Sequence, residues 1–164
     1  MPVLPNSPQK NPNLFPSLKD KQAGFNYLEH TADVWVHAWG TSLEDTFSQC
    51  VYALMDTMIE SNNIAPREIK EIMVKDQTIG ALLINFLSEF LFLFDTEGWL
   101  VGEVNIAKIE KNSGGEFQLH AVVKGETFNP QIHEPDTEVK AITYSYLEIQ
   151  NNPGHSEIKI VYDI

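Results

Sequence analysis

Three groups of residues in this chain have side chains and spacing that could carry chemistry. The first is His30-Thr31-Ala32-Asp33, with His37 four residues beyond the aspartate. An imidazole and a carboxylate this close in sequence can bind a metal ion or pass a proton. The same four residues also fit a turn in which Asp33 bonds a backbone N–H and His30 a nearby carbonyl. The pattern alone is too short to choose between them.

The second group is the end of the sequence. Ile158, Ile160 and Tyr162 alternate with polar neighbours up to Asp163-Ile164. Chain ends are usually mobile, but this alternation predicts a strand that holds them in a sheet. The Asp163 side chain and the Ile164 α-carboxylate would then lie close together, and like charges at that range repel unless a cation or a donor neutralises them. With Asp33 added, the three oxygen donors suit calcium or magnesium and not zinc. A solvated end is the alternative. The third group runs through Gly125-Glu126-Thr127-Phe128, His133-Glu134-Pro135 and Thr137-Glu138-Val139-Lys140-Ala141-Ile142-Thr143-Tyr144. On a strand Lys140 points away from Val139 and Ala141, where it could meet a phosphate or carboxylate of a partner. An ordinary exposed lysine satisfies the same spacing.

These groups need elements to position them. Val34, Val36 and Ala38 alternate with Trp35, His37 and Trp39, which predicts a strand ended by Gly40. Trp35 and Trp39 share a face of that strand and could mark a contact surface. Thr41 and Glu44 form a capping box, and Leu43, Phe47, Val51, Leu54 and Met58 follow at helical spacing, predicting an amphipathic helix over about Ser42 to Glu60. Ile69 to Val74 reads as a strand. Ile79, Leu82, Leu83, Phe86, Leu87, Phe90, Leu91 and Phe94 predict a second, largely buried helix. From Trp99 onward the pattern is strand and turn. Val104 to Ile109 and Phe117 to Lys124 are joined through Asn112-Ser113-Gly114-Gly115, and Val139 to Ile149 and Ser156 to Asp163 through Asn151-Asn152-Pro153-Gly154. Early helices and late hairpins predict an α+β fold, an antiparallel or mixed β-sheet with two amphipathic helices on one face.

Composition narrows the class. At 164 residues, 43 % apolar and 21 % charged, the chain reads as one globular domain. Five of its nine prolines fall before residue 23, so residues 1–23 are read as a flexible proline-rich arm and residues 24–164 as the folded domain. The most apolar stretch, Ile79 to Phe94, contains Asn85, Ser88 and Glu89, so no membrane span is expected, and no secretion signal is visible. The single cysteine, Cys50, on the first helix reads as core packing and points to a reducing, cytoplasmic setting. Eleven Lys and Arg against 23 Asp and Glu give a formal charge of −12, so direct nucleic acid binding is not expected. A hard cation or a basic protein partner suits such a surface. Phosphate-loop, dinucleotide, zinc-protease and nucleophile-elbow motifs are absent.

Taken in order, Tyr27-Leu28-Glu29-His30-Thr31-Ala32-Asp33-Val34, His37-Ala38-Trp39-Gly40, the three blocks of the third group and the final Asp163-Ile164 resemble the archease family from about Phe25 to Ile164. The resemblance implies a protein cofactor rather than an enzyme. Archeases assist the RtcB-type RNA ligase, which joins 2′,3′-cyclic-phosphate or 3′-phosphate ends to 5′-hydroxyl ends in tRNA splicing and RNA repair. They promote guanylylation of a ligase histidine and repeated turnover. It further implies a divalent cation, calcium first and magnesium or manganese otherwise, on Asp33, Asp163 and the Ile164 carboxylate, with Lys140, His30 and Glu138 serving ligase activation. Trp35, Tyr162 and the proline-rich arm depart from the family pattern. Two other functions remain open on the residues: a metal-dependent hydrolase built on His30, Asp33 and His37, and a chaperone-like interaction module.

Overall fold

The computed structural model of the protein describes residues 22–29, 33–60 and 63–164. The arm up to residue 21 and the His30-Thr31-Ala32 segment lie outside the described residues. Eight strands and two helices follow in the order β1 (Gly24–Leu28), β2 (Asp33–Gly40), α1 (Leu43–Met58), β3 (Glu68–Asp76), α2 (Ile79–Glu97), β4 (Trp99–Ile106), β5 (Glu110–Lys111), β6 (Phe117–Thr127), β7 (Ala141–Asn152) and β8 (His155–Asp163). The α+β class with two helices holds. The single sheet becomes two, both antiparallel throughout: β1-β2-β8-β7, and β3-β6-β4 with β5 also paired to β6. Each helix packs on both sheets, α1 on β1, β2, β8 and β4, and α2 on β7, β3, β4 and β6.

That placement corrects the one-face view of the helices. Nearly every residue of α1 is buried, including the polar Thr46, Gln49, Asp56 and Thr57. Three of them bond inside the fold: the Thr46 hydroxyl donates to the Ser42 carbonyl at 2.9 Å, the Thr57 hydroxyl to the Ala53 carbonyl at 2.8 Å, and Asp56 accepts from the Tyr27 hydroxyl at 2.5 Å. The helix cap sits one residue later than the Thr41–Glu44 box. Ser42 is the N-cap and its Oγ accepts from the Asp45 N–H at 3.1 Å, which also leaves Asp45 to accept from the Thr41 hydroxyl at 2.6 Å. Glu44 is thereby freed to accept from the Ile109 N–H at 2.9 Å.

Helix α2 starts on Thr78, whose Oγ1 accepts from the Ala81 N–H, and stops at Gly98 with φ 63°. By length and composition alone it could cross a membrane, so those criteria do not make the exclusion expected from the sequence. Packing gives it another place: Leu82, Leu83, Phe86, Leu87 and Phe90 are enclosed in the core, with Phe86 against Phe47 of α1. Strand β1 has too few residues to show a pattern beside the proline-rich stretch. Strand β4 begins five residues earlier than alternation suggests, because Trp99-Leu100-Val101 is a continuously buried run that carries no period.

Strand β8 lies between β2 and β7 and is the axis of the first sheet. Its inward residues Ile158, Ile160 and Tyr162 are fully buried, and the Tyr162 hydroxyl donates to the Cys50 carbonyl of α1 at 2.6 Å. Burial pushes the Tyr162 hydroxyl and the Cys50 thiol well above their ordinary pKa values, so both stay protonated in the core. The hydroxyl explains why tyrosine stands there: it fastens the last strand to the first helix. Tyr162→Phe should lower unfolding free energy by about 1 kcal/mol, the net worth of one buried hydrogen bond, and Tm by roughly 2–4 °C. Thermal melts that show no shift would contradict this role.

Candidate functional site

The sheet register assembles the site. Asp33, the first residue of β2, stands directly opposite Asp163, the last of β8, and Asp163 also stands opposite Ala141 of β7. One residue earlier, the Lys140 N–H donates to the Asp163 carbonyl at 2.8 Å. Three neighbouring strands thus bring Asp33, Asp163 and Lys140 to one end of one sheet. Residues opposite each other in an antiparallel pair point to the same face, with Cβ atoms about 5 Å apart. Val36, Ala38, Ile160 and Tyr162 fill the helix side, so Asp33 and Asp163 share the opposite face.

Two carboxylates so placed repel each other, and water screens them only in part because both residues are half-buried. Among the described residues no three His, Cys, Asp or Glu side chains gather closely enough to hold a metal by themselves. The Asp33–Asp163 pair supplies two carboxylates, and the sequence expectation adds the Ile164 carboxylate as a third oxygen donor. Such an all-oxygen set fits a hard divalent cation and is a poor match for zinc.

Lys140 is exposed on the segment that leads into β7, with Val139 buried and Glu138 exposed before it. The strand begins at Ala141, two residues later than its pattern suggests. Among the described residues, Lys70, Lys124 and Lys159 are paired with glutamates, whereas Lys140 has no carboxylate within ion-pair distance. His37 does not join Asp33. It sits four residues along β2, about 13 Å away, where its Nε2 meets Glu157 at 3.1 Å and its ring lies against Trp39. The His30–Asp33–His37 hydrolase centre thus lacks a convergent pair among the described residues, and His30 lies outside them.

The other sequence blocks meet in a buried clamp that spacing alone did not reveal. Glu126 accepts from the Ala65 N–H at 2.5 Å, from Arg67 Nε at 3.2 Å and from His133 Nε2 at 3.0 Å. His133 Nδ1 accepts from the Asn129 N–H at 2.9 Å, so the proton on the ring sits at Nε2 and points to Glu126. Gly125 must be glycine here, since a Cβ would fall 1.9 Å from the Leu100 carbonyl oxygen. Together these residues fix the start of the loop that delivers Glu138 and Lys140. Paired motif blocks seven residues apart were the available signal.

Comparison with known proteins identifies the family and the fold. The model of a family described as "Archease protein family (MTH1598/TM1083)" matches residues 25–164. A Thermococcus kodakarensis protein named "Protein archease" is 40 % identical over 129 residues, covering 79 % of this chain and 89 % of its own. A Drosophila melanogaster protein named "Protein archease-like" is 36 % identical over 154 residues, covering 92 % and 94 %. Among solved structures, the solution structure of Methanobacterium thermoautotrophicum protein 1598 superposes with a TM-score of 0.71 at 27 % identity, covering 86 % of this chain and 99 % of that one. A Thermotoga maritima crystal structure, described as an archease and possible chaperone, shares the fold with a TM-score of 0.54 at 22 % identity.

The clamp sets a pH dependence. Burial by itself would raise Glu126, but the Ala65 N–H, His133 and Arg67 outweigh it and hold the carboxyl below its ordinary value of 4.5. A depressed folded pKa adds stability that is complete above the unfolded value and is lost as pH falls through the folded one. Glu126→Gln should therefore cost about 1–3 kcal/mol at pH 7, and the gap to the wild type should narrow as pH falls below 4.5. Denaturant unfolding at pH 7 and pH 3.5 measures both; an equal gap at the two values would remove the ionised clamp from the account.

Proposed function

Because the chain belongs to the archease family over residues 25–164, we propose that it is a protein cofactor of an RtcB-type RNA ligase in the cytoplasm. In this role it promotes guanylylation of the ligase and lets each ligase molecule seal many RNA ends in tRNA splicing and repair. The protein itself is an activator and forms no covalent intermediate. The observation that carries the reading is the register that sets Asp33 opposite Asp163, with Lys140 bonded through its backbone to the same residue.

Asp33, Asp163 and the Ile164 carboxylate would hold a divalent cation, with calcium the best match to their charge and oxygen donors and magnesium or manganese as alternatives. Such a cation would supply concentrated positive charge at the tip of an otherwise acidic molecule. Lys140, exposed beside it, extends that charge toward the partner; Glu138 precedes Lys140 by two residues and His30 precedes Asp33 by three. A formal charge of −12 favours docking on a basic, RNA-binding ligase and disfavours competition for the RNA.

A ligation time course with ligase in deficit tests the role. The protein should convert one round of sealing into many, and Asp33→Ala or Lys140→Ala should cut the multiple-turnover rate at least about tenfold. Undiminished turnover with a variant removes that residue from the mechanism. The cation has a separate readout. Asp163→Asn should raise Tm slightly without metal, since a repulsion worth about 0.2–1 kcal/mol disappears. It should also abolish the calcium-induced rise in Tm expected for the wild type. A calcium response that survives Asp163→Asn would place the ion elsewhere.

A further inference from the structure

Strand β7 contains an insertion that the cation site does not use. Thr143 pairs with Val161 and Glu148 with Lys159, so the four residues Tyr144-Ser145-Tyr146-Leu147 face the single residue Ile160 of β8. Tyr146 is the one non-glycine residue with positive φ among those described, at 57°. A tyrosine rarely adopts that conformation, and sheet bulges of this kind typically re-aim a side chain beside a functional site. The bulge is held at both ends. The Thr143 hydroxyl donates to the Val161 carbonyl at 3.1 Å and accepts from the Ser145 N–H at 3.2 Å, while Leu147 packs beside Gly80 of α2.

This construction puts two tyrosine rings into solvent. Tyr144 is 61 % and Tyr146 63 % exposed. The Tyr146 ring lies 5.7 Å from Trp35 of β2, on the face that carries Asp33 and Asp163. Because β8 runs between β2 and β7, the two rings meet over it, which accounts for Val161 being 1 % exposed on the face away from the helices. Trp35 is two residues from Asp33, and Thr143, next to the bulge, is two from Ala141, the partner of Asp163. The aromatic faces therefore lie beside the Asp33–Asp163 pair.

We propose that Tyr146, supported by Trp35 and flanked by Tyr144, is the docking platform for an arginine side chain of the partner protein. A planar guanidinium stacks flat on such rings, a match that ammonium and uncharged groups lack, and a formal charge of −12 on the chain favours a cationic contact. A nucleic acid base could also stack, but its phosphates would meet the overall negative charge of the chain. The inference rests on the ligase-cofactor reading and names how the partner is gripped.

The variant Tyr146→Asn tests it without endangering the fold, because asparagine tolerates φ near 57° better than tyrosine does. With the RtcB-type ligase in deficit, Tyr146→Asn should raise the half-saturating concentration of this protein about tenfold and leave the saturated rate unchanged. Tyr146→Phe should restore the wild-type value, since the ring and not the hydroxyl makes the contact. An unchanged half-saturation, or a failure of Phe to rescue, overturns the platform while leaving the cofactor reading intact. If the wild type does not stimulate the ligase, the reading itself fails, and a second probe still judges the platform. An arginine-rich peptide should then perturb the ring NMR signals of Tyr146 more than its lysine counterpart does, and equal shifts, or none, overturn the arginine assignment.

Discussion

The pairing of β8 between β2 and β7 carries the rest of this molecule. Its inward residues seal the first sheet onto α1, and the Tyr162 hydroxyl bonds the helix at the Cys50 carbonyl. Its outward residues set the register that leaves Asp163 beside Asp33 on one side and beside Ala141 on the other. A slip of one residue would turn Tyr162 out of the core and Asp163 into it. Since the core cannot accept that exchange, packing energy from Ile158, Ile160 and Tyr162 holds a pair of like charges together that would otherwise separate.

The functional end of the sheet is thus held from behind. On one side the helix-facing residues immobilise β2 and β8. On the other the Glu126–His133–Arg67 clamp anchors the loop before β7, so that Lys140 arrives where its backbone meets Asp163. The Asp33–Asp163 pair and the tyrosine bulge lie on adjacent strands of one sheet, with Lys140 just before β7. Rigid elements keep charged groups in place at lower entropic cost than loops do.

Much of this could be read in the residues, and the exceptions have physical causes. Alternation in Val34–Trp39 and Ile158–Tyr162 located the two strands that matter most, and the acidic pair followed from them. Lys140 is exposed as strand alternation expected, but Ala141 is exposed beside it, because Lys140 precedes β7 and the two residues are not alternate positions of one strand. What the pattern missed was buried polarity. Thr46, Gln49, Asp56 and Thr57 look like a solvated helix face, yet all are buried. The cap at Ser42 was shifted because Thr41 and Ser42 are both capable of capping and only the observed geometry separates them. The Glu126–His133 contact depends on how two loops fold back, and the β7 bulge on an insertion that leaves the surrounding alternation intact. Neither has a period to detect.

The long reach of the β2–β8 pairing also shapes how the molecule comes into being. His37 and Glu157, partners across those strands, are 120 residues apart. At about 5–20 residues per second of synthesis, a nascent β2 waits on the order of ten seconds for the strand that completes it. During that interval it has only β1 beside it, and an open edge bearing Trp35 and Trp39 faces the crowded exit of the ribosome. Such an edge invites pairing with other chains, which makes β2 the segment with most to gain from a chaperone during translation.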